Sequence, residues 1–261
     1  MDSDGEEAFP ILAAAYAGDV HALRRAITAG ADLNVRSEQD GYTALQWLIV
    51  HGGLYGADRR LACISALAEA GADVNRIGGP LPDPDEEEED EPCTPLLDAV
   101  FTFRDRPTEC EAVTTMLLRV GADVRIGTPN GMTPLHIAAM WGLGYIIPTL
   151  LAAGAEINAI YNHMPRSCRE TPLESAIRFA NHHRVDRTRV FAKLLRAGAR
   201  LPTNVHNFPP YLISVWANGG FARYERIHRT RLAAIFLPKF PGLPAEVVHH
   251  IVSIWADCGG H

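Results

Sequence analysis

Apolar positions recur along this chain in short helical bursts, each closed by a glycine. The pattern is clearest over residues 131–159, GMTPLHIAAMWGLGYIIPTLLAAGAEINA. Leu135, Ala138 and Ala139 fall on one stripe at helical spacing. Thr133 stands where a hydroxyl can cap a helix. Pro134 occupies the first helical position, where a missing N–H does no harm. Gly142 breaks the helix. Ile146, Ile147, Leu150 and Leu151 make the apolar face of a second helix, and Gly154 follows as a stop suited to positive φ. The stretch therefore predicts two short helices joined by a turn.

The same punctuation returns along the chain. Glycine–alanine stops lie at Gly30-Ala31, Gly71-Ala72, Gly121-Ala122, Gly154-Ala155 and Gly198-Ala199. Helix starts lie at Phe9-Pro10, Thr43-Ala44, Thr94-Pro95, Thr133-Pro134 and Thr171-Pro172. Start and stop are 21 positions apart in the first and fourth units (9 to 30, 133 to 154). They are 28, 27 and 27 apart in the second, third and fifth (43 to 71, 94 to 121, 171 to 198). The added segments, GLYGADRR, FRDRPTEC and NHHRVDRT, are polar and rich in Arg. They read as loops or a solvated extra helical turn, projecting from one face.

The motif TPLHxAA followed by LLxxGA resembles the signature of the ankyrin repeat family. The resemblance covers about residues 8–205. It implies an all-α fold, an ankyrin-repeat solenoid of helix-turn-helix units with a degenerate C-terminal cap. The organisation expected is an acidic tail at 1–7, five repeats at 8–205 with an acidic loop at 76–93, and a degenerate capping repeat with a terminal F-box-like helix at 206–261. In that family His136 of the TPLH motif is structural, bonding to the capping Thr and to nearby backbone.

The segment from 206 to 236 reads as a sixth helix pair, with Pro210 at its start and Gly219-Gly220 at its turn. Arg223, Arg226, Arg229 and Arg231 would give this cap its polar outer face. Beyond it the repeat pattern ends. An amphipathic helix follows from about 244 to 255, with Val247, Val248, Ile251, Ile254 and Trp255 on its apolar face. Its start, Leu243-Pro244-Ala245-Glu246-Val247, resembles the opening of an F-box and is faintly similar to the end of a SOCS box. The first resemblance implies a truncated F-box, and a plain covering helix is the alternative.

Charge changes the picture in one place. The net charge is −7, but eight acidic residues sit between 83 and 91, so the remainder is near +1. This Pro-rich acidic segment lacks the apolar content to order itself and reads as a solvated loop, or as a docking loop for a basic partner. There is no whole-chain basic field for nucleic acid. No apolar run reaches the roughly 18 residues a membrane helix requires. The start, MDSDGEEAF, lacks the basic residues of a signal peptide. The five cysteines are scattered without a CxxC, which suits a reducing compartment, cytoplasmic or nuclear.

Catalytic chemistry finds no foothold. There is no GxSxG, P-loop, GxGxxG or HExxH. The pairs His182-His183 and His249-His250 are adjacent, so on a helix they point about 100° apart and make poor joint metal ligands. No cofactor or metal is expected. A binding surface is the better-founded candidate, because the ankyrin resemblance implies a concave groove lined by the loops between repeats and the exposed end of each first helix. Reading the two positions after each buried pair gives Tyr16-Ala17, Val50-His51, Phe101-Thr102, Met140-Trp141 and Arg178-Phe179. Aromatic residues, Met and Arg are enriched where proteins bind proteins. Tyr16, His51, Phe101, Met140, Trp141, Arg178 and Phe179 are therefore the candidate partner-binding residues. The resemblance implies a monomeric, non-enzymatic scaffold that binds a partner protein. The alternative is a substrate adaptor of a cullin-type ubiquitin ligase, docked through Leu243, Pro244, Val247, Val248, Ile251 and Trp255.

Overall fold

The computed structural model describes residues 9–51, 56–79, 92–163, 168–183, 187–203, 208–240 and 242–257. The acidic run at 83–91 and the side chain of Trp255 lie outside the described residues. The described part is helical, built of antiparallel helix pairs: α1 (Pro10–Tyr16) with α2 (Val20–Thr28), α3 (Ala44–Val50) with α4 (Ala57–Glu69), and α5 (Pro95–Thr102) with α6 (Pro107–Arg119). Next come α7 (Pro134–Trp141) with α8 (Ile147–Ala152), and α9 (Pro172–His183) with α10 (Thr188–Arg196). A hairpin of β1 (Tyr161–His163) and β2 (Cys168–Glu170) lies between α8 and α9. The chain closes with α11 (Pro210–Ala217), α12 (Phe221–Phe236), a 3-10 turn (Leu237–Lys239) and α13 (Ala245–Asp257). None of the described helices is long and apolar enough to cross a membrane.

Local chemistry sets where these helices begin and end. Thr43 and Thr94 cap α3 and α5 by accepting the N–H of Gln46 (3.3 Å) and Leu97 (3.4 Å). At α9 the box is reciprocal: the Glu174 carboxylate accepts the Thr171 N–H at 2.8 Å, and Thr171 Oγ1 accepts the Glu174 N–H at 3.3 Å. The five stops share one geometry. Gly30, Gly71, Gly121, Gly154 and Gly198 have φ of 80°, 91°, 100°, 93° and 95°. The following alanine N–H reaches back to the carbonyls of Ala26, Leu67, Leu117, Leu150 and Leu194 at 2.9–3.1 Å. This is the Schellman closure, which requires a left-handed residue.

First helices stack in one row, α1 on α3, α3 on α5, α5 on α7 and α7 on α9. In the second row α2 packs on α4 and α4 on α6, and further along α8 on α10 and α10 on α12. Leu45, Leu96, Leu135 and Leu173 fill the seam between the rows, while Ala15, Ala99, Ala138, Ala139 and Ala176 let the stacked helices approach closely. An asparagine ladder ties successive turns. Asn34 Oδ1 accepts the Asp73 N–H and Asn75 Oδ1 the Asp123 N–H, both at 2.7 Å, and Asn158 Oδ1 accepts the Arg200 N–H at 3.0 Å. Arg125 takes the corresponding place in the third repeat and turns its guanidinium onto Asp123 at 2.9 Å instead.

Of the two readings of the added segments, loop or extra helical turn, the described residues show both: 57–60, 107–110 and 181–183 belong to α4, α6 and α9, while 103–106 form a turn. The segments of repeats two and three are not simply solvated, because they pack together. Arg60 is buried, ion-paired with Glu109, and its guanidinium lies 4.9 Å over the Phe103 ring. Arg106 sits on the far side of this cluster, 3.7 Å from Glu109 and 5.4 Å from the Phe103 ring centre. A planar cation buried among a carboxylate and an aromatic face satisfies its charge without water. In the last helix the apolar residues split between two sides. Val248 and Val252, four apart, are buried, and α13 packs on α12, where Ala233 is buried. Leu243, Pro244, Val247 and Ile251 are exposed.

Candidate functional site

The ends of the first helices carry two aromatic runs. In the first, Tyr16 of α1 meets Trp47 of α3 with ring centres 4.7 Å apart, and Trp47 stacks on His51 at 5.2 Å. Tyr42 meets His51 edge-on at 5.6 Å. In the second, Phe101 of α5, Trp141 of α7 and Phe179 of α9 stand in sequence, at 6.3 Å and 5.1 Å between successive rings. These distances suit edge-to-face and tilted contacts, which aromatic quadrupoles favour. Arg104, from the added segment of repeat three, holds its guanidinium 4.6 Å from both the Phe101 and Trp141 rings. It donates to the Phe101 carbonyl at 2.8 Å.

The expected partner-binding residues fall into three groups. Phe101 is 48% exposed, His51 is exposed, and Tyr16, Trp141 and Phe179 are half-buried within the runs. Arg178 is held by Glu170, whose carboxylate accepts its Nε–H at 2.8 Å and the Ser175 hydroxyl at 3.0 Å. Met140 is a correction: only 8% exposed, it is packed under the ladder rather than presented by it. Among the tail residues, Val248 is also a correction, because 1% exposure places it inside the contact with α12. Leu243, Pro244, Val247 and Ile251 face solvent.

Two members of the surface escaped the reading of the chain. Trp47 lies four residues before His51 on α3, so helical spacing alone puts both on one face. Trp216, 55% exposed, stands six residues after Pro210, as Phe101 stands after Pro95. That count adds an exposed aromatic on the sixth helix pair. Arg104 carried no such signal, because its reach from one repeat to the next is a tertiary fact.

His136 does not belong to this surface. It is buried at the other end of α7, where its Nδ1 accepts the Thr133 N–H at 3.2 Å. That leaves the proton on Nε2, which donates to the Glu170 carbonyl at 3.2 Å. Gln46 repeats the arrangement in the second unit, accepting the Thr43 N–H at 3.4 Å and donating to the Cys93 carbonyl at 2.8 Å. Each side chain thus bridges one repeat to the residue just before the next capping Thr.

Residues 130–162 match the family model described as Ankyrin repeat. That segment is an ankyrin repeat. The matched segment contains α7, α8 and the start of β1, and the same stop geometry recurs at the neighbouring helix pairs. No curated protein matches the chain. Ankyrin repeats are in general protein–protein interaction modules, typically without catalytic activity.

Proposed function

We propose that this ankyrin array is a non-enzymatic scaffold that binds a partner protein through its concave face. The observation that carries the reading is the continuous run of Phe101, Trp141 and Phe179 across three successive levels, with Arg104 between two of the rings. Half-exposed aromatics held in place by their neighbours lose little side-chain entropy on binding, which makes them effective anchors. Tyr16, Trp47 and His51 extend the surface toward the first repeat, and Trp216 toward the cap. The scattered thiols suit a reducing compartment, cytoplasm or nucleus.

A second reading is a substrate adaptor for a cullin-type ubiquitin ligase. It is favoured by Leu243, Val247 and Ile251, which are 42%, 41% and 49% exposed although apolar, on a segment resembling the F-box opening.

Affinity capture from native lysate, read by mass spectrometry, tests both. The baits are the intact chain, the pair Trp141→Ala and Phe179→Ala, and the pair Val247→Asp and Ile251→Asp, each checked by circular dichroism. Partners lost with the groove pair alone support the scaffold. Ligase components lost with the tail pair alone support the adaptor. Capture unchanged by the groove pair overturns the concave-face reading.

A further inference from the structure

The fourth rung of the concave face is unusually cationic. Arg104 reaches Trp141 from repeat three. From repeat five, Arg187 reaches Gly142, the residue after Trp141. Gly142 has φ 77°, and a methyl group added there would overlap the Arg187 guanidinium, with Cζ at 3.0 Å and Cδ at 3.7 Å. Lys193 donates to the Gly144 carbonyl at 2.6 Å. Three cations from two flanking repeats thus converge on the turn that ends α7.

Arg187 and Arg104 lack a close carboxylate contact among the described residues. Arg187 Nε is buried without a hydrogen-bond partner, and no ion pair to Arg187 occurs among the described residues. Burial pushes its guanidinium down from its ordinary range, with no nearby carboxylate opposing the shift. Arg104 Nε likewise has no hydrogen-bond partner, and its ion pair with Asp105 is long, 3.8 Å, to a side chain that is 87% exposed. By contrast Arg60, Arg178 and Arg196 each meet a glutamate directly. A partly buried guanidinium left without an anion is costly, and a carboxylate arriving from outside relieves that cost with charge-assisted hydrogen bonds.

From this we infer that the rung formed by Arg104, Trp141, Gly142 and Arg187 recognises carboxylates, so that the partner segment lying in the groove is acidic. A Glu or Asp side chain of that segment pairs with the guanidinium groups beside Trp141, and its apolar neighbours pack on Phe101 and Phe179. The inference rests on the concave-face reading above and names the chemistry of its partner.

The test uses the full chain and two synthetic peptides, one of repeated Glu-Gly-Phe units and one of repeated Lys-Gly-Phe units, with inorganic phosphate as a third probe. Binding is followed by tryptophan fluorescence and calorimetry. The Glu peptide should bind at least about tenfold more tightly than the Lys peptide, and weaken as salt rises from about 50 to about 300 mM. Arg104→Gln and Arg187→Gln should each cost about tenfold, whereas Arg187→Lys, which keeps the charge but not the planar fork, should cost less than Arg187→Gln. Circular dichroism of each variant excludes misfolding. Equal or tighter binding of the Lys peptide, or no loss with either glutamine variant, overturns the inference. So does saturable phosphate binding that depends on Arg187 without any binding of the Glu peptide. If Trp141→Ala still abolishes capture of a lysate partner while the Glu peptide fails to bind, the acidic-partner inference falls and the concave-face reading stands.

Discussion

His136 Nε2 lies 3.2 Å from the carbonyl oxygen of Glu170, a bond that spans two repeats with a histidine as the bridge. The ring is buried, and burial lowers its pKa from 6.5 to about 4. The unfolded chain binds a proton here between about pH 6.5 and 4, while the folded chain does not. Stability contributed by the neutral ring is therefore complete above pH 6.5 and declines as pH falls toward 4. The slope is about 1.4 kcal/mol per pH unit, so the chain should lose about 2 kcal/mol between pH 7 and pH 5 through this group. His136→Gln, which copies the bridge that Gln46 makes, should flatten that part of the profile and change stability at pH 7 by no more than about 1 kcal/mol. Urea denaturation of both proteins across this range checks it. Parallel profiles would contradict the assignment.

The Arg60–Glu109 pair joins the added segments of repeats two and three. Glu109→Ala removes the carboxylate paired with this buried guanidinium, which the neighbouring Arg106 repels, and should destabilise the chain by about 3 kcal/mol. Replacing both partners, Arg60→Met with Glu109→Leu, should recover most of that loss, because the penalty lies in the stranded charge. A double-mutant cycle in urea measures the coupling.

Arg125 interrupts the asparagine ladder. Arg125→Asn should add the inter-repeat hydrogen bond that Asn34, Asn75 and Asn158 make, and raise stability by about 1 kcal/mol. Asn75→Ala should lower it by about 1–2 kcal/mol, since the Asp123 N–H and the Gly121 carbonyl both lose their partner. Thermal melting of the two variants decides the matter, and a shift of the same sign in both would refute it.

Gly142 is required twice, for its positive φ and for the guanidinium that passes over it. Gly142→Ala should cost about 1 kcal/mol for the backbone alone, with a further cost from displacing Arg187. Alanine at Gly154 should incur only the backbone part, because nothing lies within 4 Å of the space its methyl group would take. Comparing the two variants by chemical denaturation separates the effects.

In the last helix, neighbouring valines should behave oppositely. Val248→Asp places a carboxylate in the contact with α12 and should detach α13, losing about 3 kcal/mol of local protection. Val247→Asp should stay within about 0.5 kcal/mol of the parent. Amide hydrogen exchange along α12 and α13 reads both.

Much of this architecture is local and legible in the sequence. A Thr–Pro start needs only a hydroxyl and a fixed φ, and a Gly–Ala stop needs only a residue free to turn left-handed. Those requirements are met by neighbours in the chain, so the five repeats, the sixth helix pair and α13 could be read from spacing. The position of the aromatic rungs followed from the same counting, and counting from Pro210 and along α3 would have added Trp216 and Trp47.

What the tertiary structure alone decided is which of these residues water reaches. Met140 and Trp141 are adjacent and both apolar, yet only Met140 is buried: α5 and α9 lie on either side of α7, and Trp141 stands at its very end. Arg60 reads as a solvated charge until Glu109 and Phe103, more than forty residues away, close over it. Val248 faces α12 while Val247 does not, a difference of one residue in helix rotation that amphipathic spacing cannot resolve. Arg187 stands near Trp141 only because repeat five stacks on repeat four. Start and stop signals act through the local backbone, whereas burial and charge pairing depend on elements that come together only when the array is assembled.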